Sequence, residues 1–431
     1  MKGRKPRVYA RDEHVVSRRD MDPDAVKVLY RLHESGHLAY LVGGGVRDLL
    51  LGRKPKDYDI STDAHPNRIK RLFRNAFLIG RRFRLAHIKF GPKIIETSTF
   101  RREPDVDTRE KGEFFHKHDN TFGTPEEDAH RRDFTINALF YNIADFTVID
   151  YVGGLHDLEK GVIRCIGNAD LRFKEDPIRM LRAVRFAARM DFTIEPRTWR
   201  AVRRNASEVI KAAPPRLLEE VYRFFGYRSG AASFDLLARS RMMVQLFPEL
   251  VAFLKARRGR QAEFDALLQA LDAFGDDYAP PKPELIFATL LHGMFEVRQA
   301  EHVERGGHPG HEVIRELIEP LMPRLRIPRR VTDRLVHIID AQRRFDEAPG
   351  ERRFSRERFM AQETFRDALD FFDVRTAAGF GNPDSLKDWK LWVKKDPPPE
   401  HTERRAPRRR RGGRGRRKLE GRGRKSENGG R

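Results

Sequence analysis

The stretch that decides the fold is residues 37–62, which read HLAYLVGGGVRDLLLGRKPKDYDIST. The apolar run at 37–42 predicts a short buried strand, and the three glycines after it predict a turn. A brief helix is expected over 46–51, and residues 57–62 predict a second strand. This order of strand, glycine turn, helix and strand indicates that the chain begins with a mixed α+β unit.

Asp57 and Asp59 are the sharpest chemical feature of this stretch. On a strand, residues two apart share a face and lie about 6.5–7 Å apart. Two carboxylates placed in this way repel each other unless a cation lies between them, and their oxygens suit Mg²⁺ or Mn²⁺. Such a pair also occurs by chance on surface strands, so both a metal site and a plain surface pair stay open.

Glu96 and the glycine turn extend the pattern. Glu96 lies in the second strand of a hairpin predicted over 83–90 and 93–100, among β-branched residues where an acid is unusual. Gly43 and Gly44 would let backbone N–H groups approach an anion. A triphosphate held beside paired acids is the arrangement of two-metal phosphoryl transfer. The alternatives are a tight turn without a ligand and an exposed acid on an edge strand.

The cluster RRD at 131–133 precedes the apolar segment 134–140. Asp133 could be the N-cap of a helix formed by that segment. In the functional interpretation, Arg131 or Arg132 lies near phosphates, and Asp133 lies near the metals or the nucleotide.

Residues 175–185 read EDPIRMLRAVR and predict a helix that begins near Pro177. Asp176, Arg179 and Arg182 recur every three residues and therefore line one helix face. That face can offer fixed donors and acceptors to the edge of a nucleobase. The alternative is a row of ion pairs between neighbouring turns.

Composition and charge point to a nucleic-acid partner. The chain has 431 residues and a net charge of +22, and this length favours two or more domains because single cores rarely exceed about 300 residues. The basic tail, residues 400–431, is rich in Arg and Gly, lacks aromatics and predicts a disordered arm that binds a phosphate backbone. An anionic membrane or mere solubilisation are the rival roles. The single cysteine, Cys165, excludes an intramolecular disulfide framework.

Strand signals fade after about residue 156, and helical periodicity follows to about residue 373. Residues 101–124 are charged and aperiodic and are expected to form a mobile loop. The predicted units are a basic N-terminal arm (1–21), a catalytic head (22–155), a helical neck (156–226), a helical body (227–396) and a disordered tail (397–431).

Four motifs together resemble the class II nucleotidyltransferase superfamily, which contains CCA-adding enzymes and bacterial poly(A) polymerases. They are LVGGGVRDLLLG at 41–52, DYD at 57–59, RRDFTINAL at 131–139 and EDPIRMLRAVRFA at 175–187. The likeness covers about residues 23–225, roughly half of the chain. It implies an α+β fold, in which a small mixed β-sheet head is followed by an all-helical neck, body and tail, with disordered basic termini.

The resemblance also implies roles for single residues. Mg²⁺ or Mn²⁺ would be held by Asp57, Asp59 and Glu96, with Asp133 as a further active-site acid. The triphosphate of ATP would be contacted by Gly43, Gly44 and Arg47. The incoming base would be recognised by Asp176 and Arg179, with Arg182 nearby.

Residues 78–88, LIGRRFRLAHI, are similar to a segment typical of bacterial poly(A) polymerases, and so is the arginine-rich tail. The implied reaction is template-independent transfer of AMP from ATP to RNA 3′ ends, with pyrophosphate released, in RNA processing and turnover. A CCA-adding enzyme acting on tRNA is the alternative, and a catalytically silent RNA-binding protein is a third. We expect a cytoplasmic monomer that acts on mRNA, regulatory and decaying RNAs. RNA-degradation proteins and a weak anionic membrane contact are further expected partners.

Overall fold

A computed structural model describes residues 5–80, 85–102, 122–275, 280–304, 311–347, 350 and 352–398. The predicted loop at 101–124 and the basic tail therefore lie almost wholly outside the described residues, and the three arginines of the segment 78–88 lie outside them too. Within the described part, no helix is both long and apolar enough to cross a membrane.

An eight-stranded mixed sheet forms the head. In chain order its strands are β1 (Arg7–Tyr9), β2 (Ala39–Val42), β3 (Asp59–Thr62), β4 (Ala76–Ile79), β5 (Leu85–Phe90), β6 (Lys93–Thr99), β7 (Leu139–Asn142) and β8 (Val148–Asp150). The order across the sheet is β1-β8-β7-β2-β3-β6-β5-β4. All neighbouring strands are antiparallel except β3 and β6, which are parallel.

The central strand β2 shows how the sheet separates two cores. Its side chains alternate between the faces, as strand geometry requires. Ala39 and Leu41 join the main hydrophobic core, which continues into the helical part of the chain. Tyr40 and Val42 face a second, smaller cluster, where Phe100 is also buried. Because β2 is covered on both sides, its last residues and the glycine turn after them are held firmly.

Helices accompany and follow the sheet. The head contains α1 (Pro23–Glu34), α2 (Gly44–Leu50), α3 (Pro66–Leu72) and α4 (Pro125–His130). The neck contains α5 (Gly154–Glu159), α6 (Ala169–Glu175), α7 (Ile178–Met190), α8 (Pro196–Arg204) and α9 (Pro214–Phe224), with a short parallel pair of β9 (Val162–Ile163) and β10 (Thr193–Ile194).

The body is helical throughout its described residues. Its helices are α10 (Gly230–Arg239), α11 (Met243–Leu246), α12 (Pro248–Ala256), α13 (Arg260–Phe274), α14 (Pro283–Glu304), α15 (His311–Ile318), α16 (Leu321–Leu325), α17 (Arg329–Asp346), α18 (Arg356–Met360), α19 (Phe365–Ala377) and α20 (Pro383–Lys395). The predicted architecture of an α+β head followed by a helical body is confirmed.

The described N-terminal residues differ from the predicted basic arm. β1 pairs antiparallel with β8 at the edge of the sheet, so this segment is part of the head. Val16 and Met21 are buried in the main core, and the His14 ring bonds the Phe146 carbonyl at 3.0 Å. This strand was not predicted, because the segment is basic and the strand has only three residues. Its partner strand lies more than 130 positions away.

Two local predictions need correction. Strand β3 begins at Asp59, so Asp57 lies just before the strand and not on it. The predicted alternation still holds, because both acids line one cleft while Tyr58 between them is buried. The last pair of the β2–β3 ladder joins Val42 to Asp59, and beyond it the chain turns at Gly43, which leaves Asp57 without a partner on β2. The segment 134–140 is also no α-helix: Thr135–Asn137 form a single 3₁₀ turn, and Leu139 and Phe140 begin β7, which pairs with β2 and β8.

The helical body departs from its predicted boundaries at two places. Residues 230–256 show continuous helical periodicity in the sequence, but they form three separate helices, α10, α11 and α12. The chain breaks at Arg241, which has a φ of +68°, and Pro248 begins the next helix. Helix α20 was not predicted, although it supplies Trp389, which is fully buried among four phenylalanine rings. The helix is stabilised by packing of Trp389 against aromatic rings that come from other parts of the sequence. The sequence of the helix by itself does not reveal these contacts.

A buried ion pair joins two neck helices and can be tested. Arg185 of α7 donates from Nε to the Glu220 carboxylate of α9 at 2.8 Å, and both side chains are less than a tenth exposed. Burial lowers the pKa of Arg185 to about 10 although Glu220 opposes this shift. Arg185→Met should lower the free energy of unfolding by roughly 3 kcal/mol, because it leaves the buried carboxylate with only the longer contact to Arg223 at 3.5 Å.

The double variant Arg185→Met/Glu220→Leu should recover most of that loss, because no buried charge then lacks its partner. Chemical denaturation of both variants and the parent measures the difference. If the double variant is as unstable as the single one, the pair does not act as a unit.

Candidate active site

The predicted acids meet in one cleft at the start of β3 and β6. Asp57, Asp59 and Glu96 all line this cleft, whose volume is about 1190 Å³. Asp59 and Glu96 are directly paired across the parallel strands β3 and β6. The third carboxylate, Asp57, reaches the same cleft from the loop before β3. The structure therefore brings together the three residues expected to hold metal: Glu96 from β6, as predicted, and Asp57 from just before β3.

The electrostatics of the cleft favour a cation. Burial raises the pKa of Asp59 to about 6; the negative charge of Glu96 contributes further, Arg132 opposes the shift, and Asp57 adds to it. A carboxylate so affected is stabilised by any positive charge that enters. Among the described residues, no three acidic, histidine or cysteine side chains are close enough as they stand to hold one ion together. The oxygen-only donor set fits a hard divalent ion, provided the three carboxylates converge on it.

Gly43 begins the turn that leads from β2 into α2. Its φ of +68° lies in the left-handed region that favours glycine. A Cβ atom at this position would lie 3.0 Å from Nη1 of Arg132. Glycine is therefore needed here for two independent reasons, the backbone angle and the close approach of a guanidinium. The backbone of the turn therefore lies next to the positive charge of Arg132.

Arg47 lies beneath this turn. Its side chain is 3% exposed and donates from Nε and Nη2 to the Asp48 carboxylate, at 2.8 and 2.6 Å. Nη1 donates to the side-chain oxygen of Asn137 at 2.6 Å. Gly44 lies directly above, since a Cβ there would be 3.5 Å from the same guanidinium. Arg47 thus supports the glycine turn from below, and its direct contact with a phosphate stays a prediction.

Arg132 is oriented by Asp128, a buried acid in helix α4. Two nitrogens of Arg132 lie 3.3 and 2.8 Å from the same Asp128 oxygen, and the second Asp128 oxygen accepts from Arg131 at 3.0 Å. Burial opposes ionisation of Asp128, but the two arginines outweigh it and lower its pKa. Arg132 reaches the Ser61 hydroxyl at 3.5 Å, which places its charge beside β3 and the glycine turn.

Asp133 lies with the neck. Arg182 donates from Nε to one Asp133 oxygen at 2.6 Å, and the Asn137 amide donates to the other at 3.1 Å. Burial by itself would raise the pKa of Asp133, but Arg182, Asn137 and the Phe134 N–H lower it to about 2. Asp133 does not line the cleft of the three acids. Its geometry fits a fixed anion that positions an arginine of the neck.

The helix face predicted to recognise a base is assembled in part. Asp176 ends α6, and Arg216 of α9 donates to both of its oxygens at 2.9 Å. Arg179 is largely buried near Asp133, and its Nη1 has no hydrogen-bond partner among the described residues. Arg182 is committed to Asp133. Of the predicted trio, Arg179 is therefore the residue whose buried donor could pair with an incoming base.

Sequence reasoning missed four residues that organise this site: Asp128, Asn137, Arg172 and Arg216. Asp128 stands three and four residues before Arg131 and Arg132, a spacing that signals ion pairs on a helix. Asn137 lies within the RRDFTINAL motif but was treated as part of an apolar segment. Arg172 donates to the Arg132 carbonyl at 3.1 Å. No local signal could have found Arg172 or Arg216, because their partners are about 40 residues away.

Comparison with known proteins identifies the family. Residues 39–164 match the poly A polymerase head domain, and 191–254 match the probable RNA and SrmB-binding site of polymerase A. Residues 310–425 match the polymerase A arginine-rich C-terminus. Poly(A) polymerase I of Salmonella typhi is 38% identical over 91% of this chain and 87% of that protein. The chain belongs to the poly(A) polymerase I family. The corresponding protein of Haemophilus influenzae is 34% identical over 87% of this chain and 85% of its own length.

CCA-adding enzymes share the fold but less of the sequence. The Bacillus subtilis CCA-adding enzyme is 37% identical over 52% of this chain and 55% of that enzyme. The crystal structure of the Bacillus stearothermophilus CCA-adding enzyme in complex with CTP has a TM-score of 0.64 and 26% identity, covering 87% of this chain and 83% of that one. The sequence likeness to poly(A) polymerases continues through the body, which confirms the prediction made from 78–88 and the tail.

The low pKa of Asp133 predicts a pH-dependent contribution to stability. Its folded value of about 2 lies below the ordinary 3.8, so the charged form contributes about 2 kcal/mol above pH 4. Asp133→Asn should therefore lower the free energy of unfolding at pH 7. The difference from the parent should shrink as the pH falls from about 4 towards 2, because the parent then binds the proton too.

Urea denaturation at several pH values measures both effects. Asp235→Asn is the matched control, because Asp235 forms an exposed pair with Arg239, the one ion pair it makes in the described part of the chain, and should change stability little. A difference for Asp133→Asn that is independent of pH would contradict the assigned role of its charge.

Proposed function

We propose that this protein extends RNA 3′ ends with AMP from ATP, without a template, and releases pyrophosphate. The observation that carries the proposal is the likeness to poly(A) polymerase I over nine tenths of the chain, together with the three acids in one cleft. A cytoplasmic location and a role in RNA turnover stay predictions.

The acids supply the electrostatic part of the reaction. Asp57, Asp59 and Glu96 would hold Mg²⁺ ions, which stabilise charge that develops on the attacking and leaving oxygens. Without a cation the charged form of Asp59 is disfavoured, first by burial and then by the negative charge of Glu96, and its pKa is raised accordingly. Their placement on two strands and a loop of the rigid sheet fixes where the α-phosphate must lie.

The glycine turn and Arg132 would receive the triphosphate. Gly43 and Gly44 leave the backbone accessible, and Arg132 stands 3.0 Å behind the position of an absent Cβ. Arg132 cannot swing away freely, because Asp128 accepts from two of its nitrogens. A guanidinium held in this way is ready to neutralise a phosphate without reordering its side chain. Beneath the turn, Arg47 and Asp48 keep the backbone in place.

The neck would select the base. Arg179 carries a buried N–H donor with no partner among the described residues, and leaving it unpaired costs free energy that a base acceptor would recover. Asp176 offers carboxylate oxygens whose direction is set by Arg216. Arg182, held by Asp133, fixes the distance between the neck helix and the head. Adenine preference would arise from this fixed pattern of donors and acceptors.

A CCA-adding activity is the second candidate, favoured by the TM-score of 0.64 to a CCA-adding enzyme. The deciding assay uses purified protein, a generic RNA that ends in A, and each nucleoside triphosphate singly. We expect a long homopolymeric A tail from ATP and little incorporation from CTP, because only one base pattern fits the neck. A tRNA lacking its 3′ end is the control substrate. A product that stops after C-C-A on that tRNA would show that the enzyme adds CCA.

Removal of one acid should separate chemistry from RNA binding. Asp59→Ala should reduce nucleotide addition to well below about a tenth of the parent rate, because a ligand of the metal ions is lost. RNA affinity, measured by fluorescence anisotropy, should not fall, because carboxylates do not attract phosphates. Asp12→Ala, an exposed acid of the head outside the cleft, is the control and should keep full activity. Turnover above about a tenth in Asp59→Ala would overturn the metal assignment.

A further inference from the structure

Four cations line the cleft of the three acids and are not balanced by an acid. We call this cluster the cationic wall; its members are Arg19, Arg53, Lys54 and Lys56. All four residues are exposed. None of them forms an ion pair with any residue in the described part of the chain. The roles of the acids, the glycine turn and the neck do not involve them.

The other cations of the cleft are already neutralised. Lys93 donates to Asp22 at 2.5 Å and to Asp24 at 3.0 Å, which ties β6 to the start of α1. Arg223 pairs with Glu219 at 2.5 Å. These two serve the fold, whereas the cationic wall has its charge available for an anion from outside.

The backbone that carries the wall is well held. Arg53 donates its N–H to the Asp48 carbonyl at 2.8 Å, and Pro55 is buried between the lysines on either side of it. On the N-terminal segment, the Ser17 hydroxyl accepts from the Arg19 N–H at 3.3 Å. Tyr58, which stands between two of the acids, donates from its hydroxyl to the Asp20 carbonyl at 3.3 Å. The loop with the acids and the N-terminal segment are thus joined.

The sheet order places the glycine turn on one side of Asp59 and the opening of the cleft, which the wall lines, along β6 on the other. Strand β3, which begins with Asp59, lies between β2 and β6. The glycine turn follows β2, and the described residues of that turn do not line the cleft. The cleft opens instead along the start of β6, from Pro92 to Glu96. In an in-line displacement the attacking and leaving oxygens lie on opposite sides of the phosphorus. If pyrophosphate leaves on the side of the glycine turn, the attacking 3′-hydroxyl must come from the side of the wall.

We propose that the cationic wall binds the phosphate backbone of the RNA primer next to its 3′ end and so directs the 3′-hydroxyl to the acids. The inference rests on the proposed function and adds the site at which the second substrate lies. The cleft volume of about 1190 Å³ also exceeds the roughly 300–1000 Å³ of ordinary small-molecule sites, which favours a polymer. Four cations spread over two segments suit a chain of phosphates better than a single triphosphate.

The double variant Lys54→Gln/Lys56→Gln tests the proposal. Fluorescence anisotropy with oligo(A), in the absence of ATP and at several salt concentrations, gives affinity and salt dependence. We expect roughly tenfold weaker binding near 0.1 M salt and a salt slope shallower by about 0.7 for each phosphate that the variant no longer neutralises. In steady-state assays, KM for oligo(A) should rise while KM for ATP stays close to that of the parent.

Two further variants control for net charge and for folding. Lys70→Gln/Arg71→Gln removes the same charge from helix α3, where both residues are exposed and outside the cleft, and should leave KM for oligo(A) unchanged. Lys54→Arg/Lys56→Arg keeps the charge and should retain binding. Unchanged oligo(A) affinity and salt slope in Lys54→Gln/Lys56→Gln would overturn the proposal. So would a rise in KM for ATP alone, which would assign the wall to the nucleotide.

The failure of the proposed function is a separate result. It would show as parent protein that does not extend oligo(A) with ATP at all. Parent protein that extends oligo(A), combined with a glutamine variant that binds it normally, would leave polyadenylation intact and remove only the cationic wall from the RNA site.

Discussion

The parallel pairing of β3 with β6 is the constraint on which the site depends. It is the one parallel pair in the described eight-stranded sheet, and it sets Asp59 directly beside Glu96. Burial of Asp59, and after it the nearby negative charge of Glu96, makes the ionised form costly and raises the pKa of Asp59. The sheet can sustain that cost because β2 and β3 are packed in a continuous core. The same cost is in turn what makes the cleft selective for a cation.

Arginines hold the charges around this pair in fixed places. Asp128 directs Arg132 towards the glycine turn, and Asp133 directs Arg182 towards the head. In each case a buried acid orients a guanidinium and is kept ionised by arginine, Asp133 by Arg182 and Asp128 by Arg131 and Arg132 together. Such pairs contribute little net stability when both partners are present, but they are costly to break. Here these pairs fix the position of each guanidinium. Less side-chain entropy then remains to be lost when that positive charge meets an anion.

The same kind of link connects the head with the helical part. Asp48, which holds Arg47 beneath the glycine turn, also accepts from Arg189 of α7 at 3.1 Å. The guanidinium of Arg189 lies 3.5 Å from the centre of the Tyr227 ring, where the neck passes into the body. Tyr227 and Arg228 both have positive φ, so the chain turns sharply there. The backbone that faces the phosphates is therefore anchored, through a short series of side chains, to the junction of neck and body.

The sequence by itself determined those features that depend on near neighbours. The glycine turn, the acids at Asp57 and Asp59, the RRD cluster and the arginine face of α7 are all readable, because each occupies a short stretch with an unusual composition. The α+β head, the helical body and the family follow from these motifs. Even the ion pairs of Asp128 could have been predicted, since Asp128 lies within about one helical turn of Arg131 and Arg132.

Only the tertiary structure decided which distant residues meet. Strand β3 begins at Asp59 because its ladder with β2 ends at Val42, a limit set by another strand. Apolar and polar residues alternate too weakly over 134–140 to predict a strand. The last residues of this segment form one because β2 and β8 offer hydrogen bonds on both sides. Arg216 pairs with Asp176, and Arg19 joins the lysines of the cleft, across 40 and about 35 positions. Such contacts depend on the free energy of the whole packed chain, which cannot be deduced from a local pattern of residues.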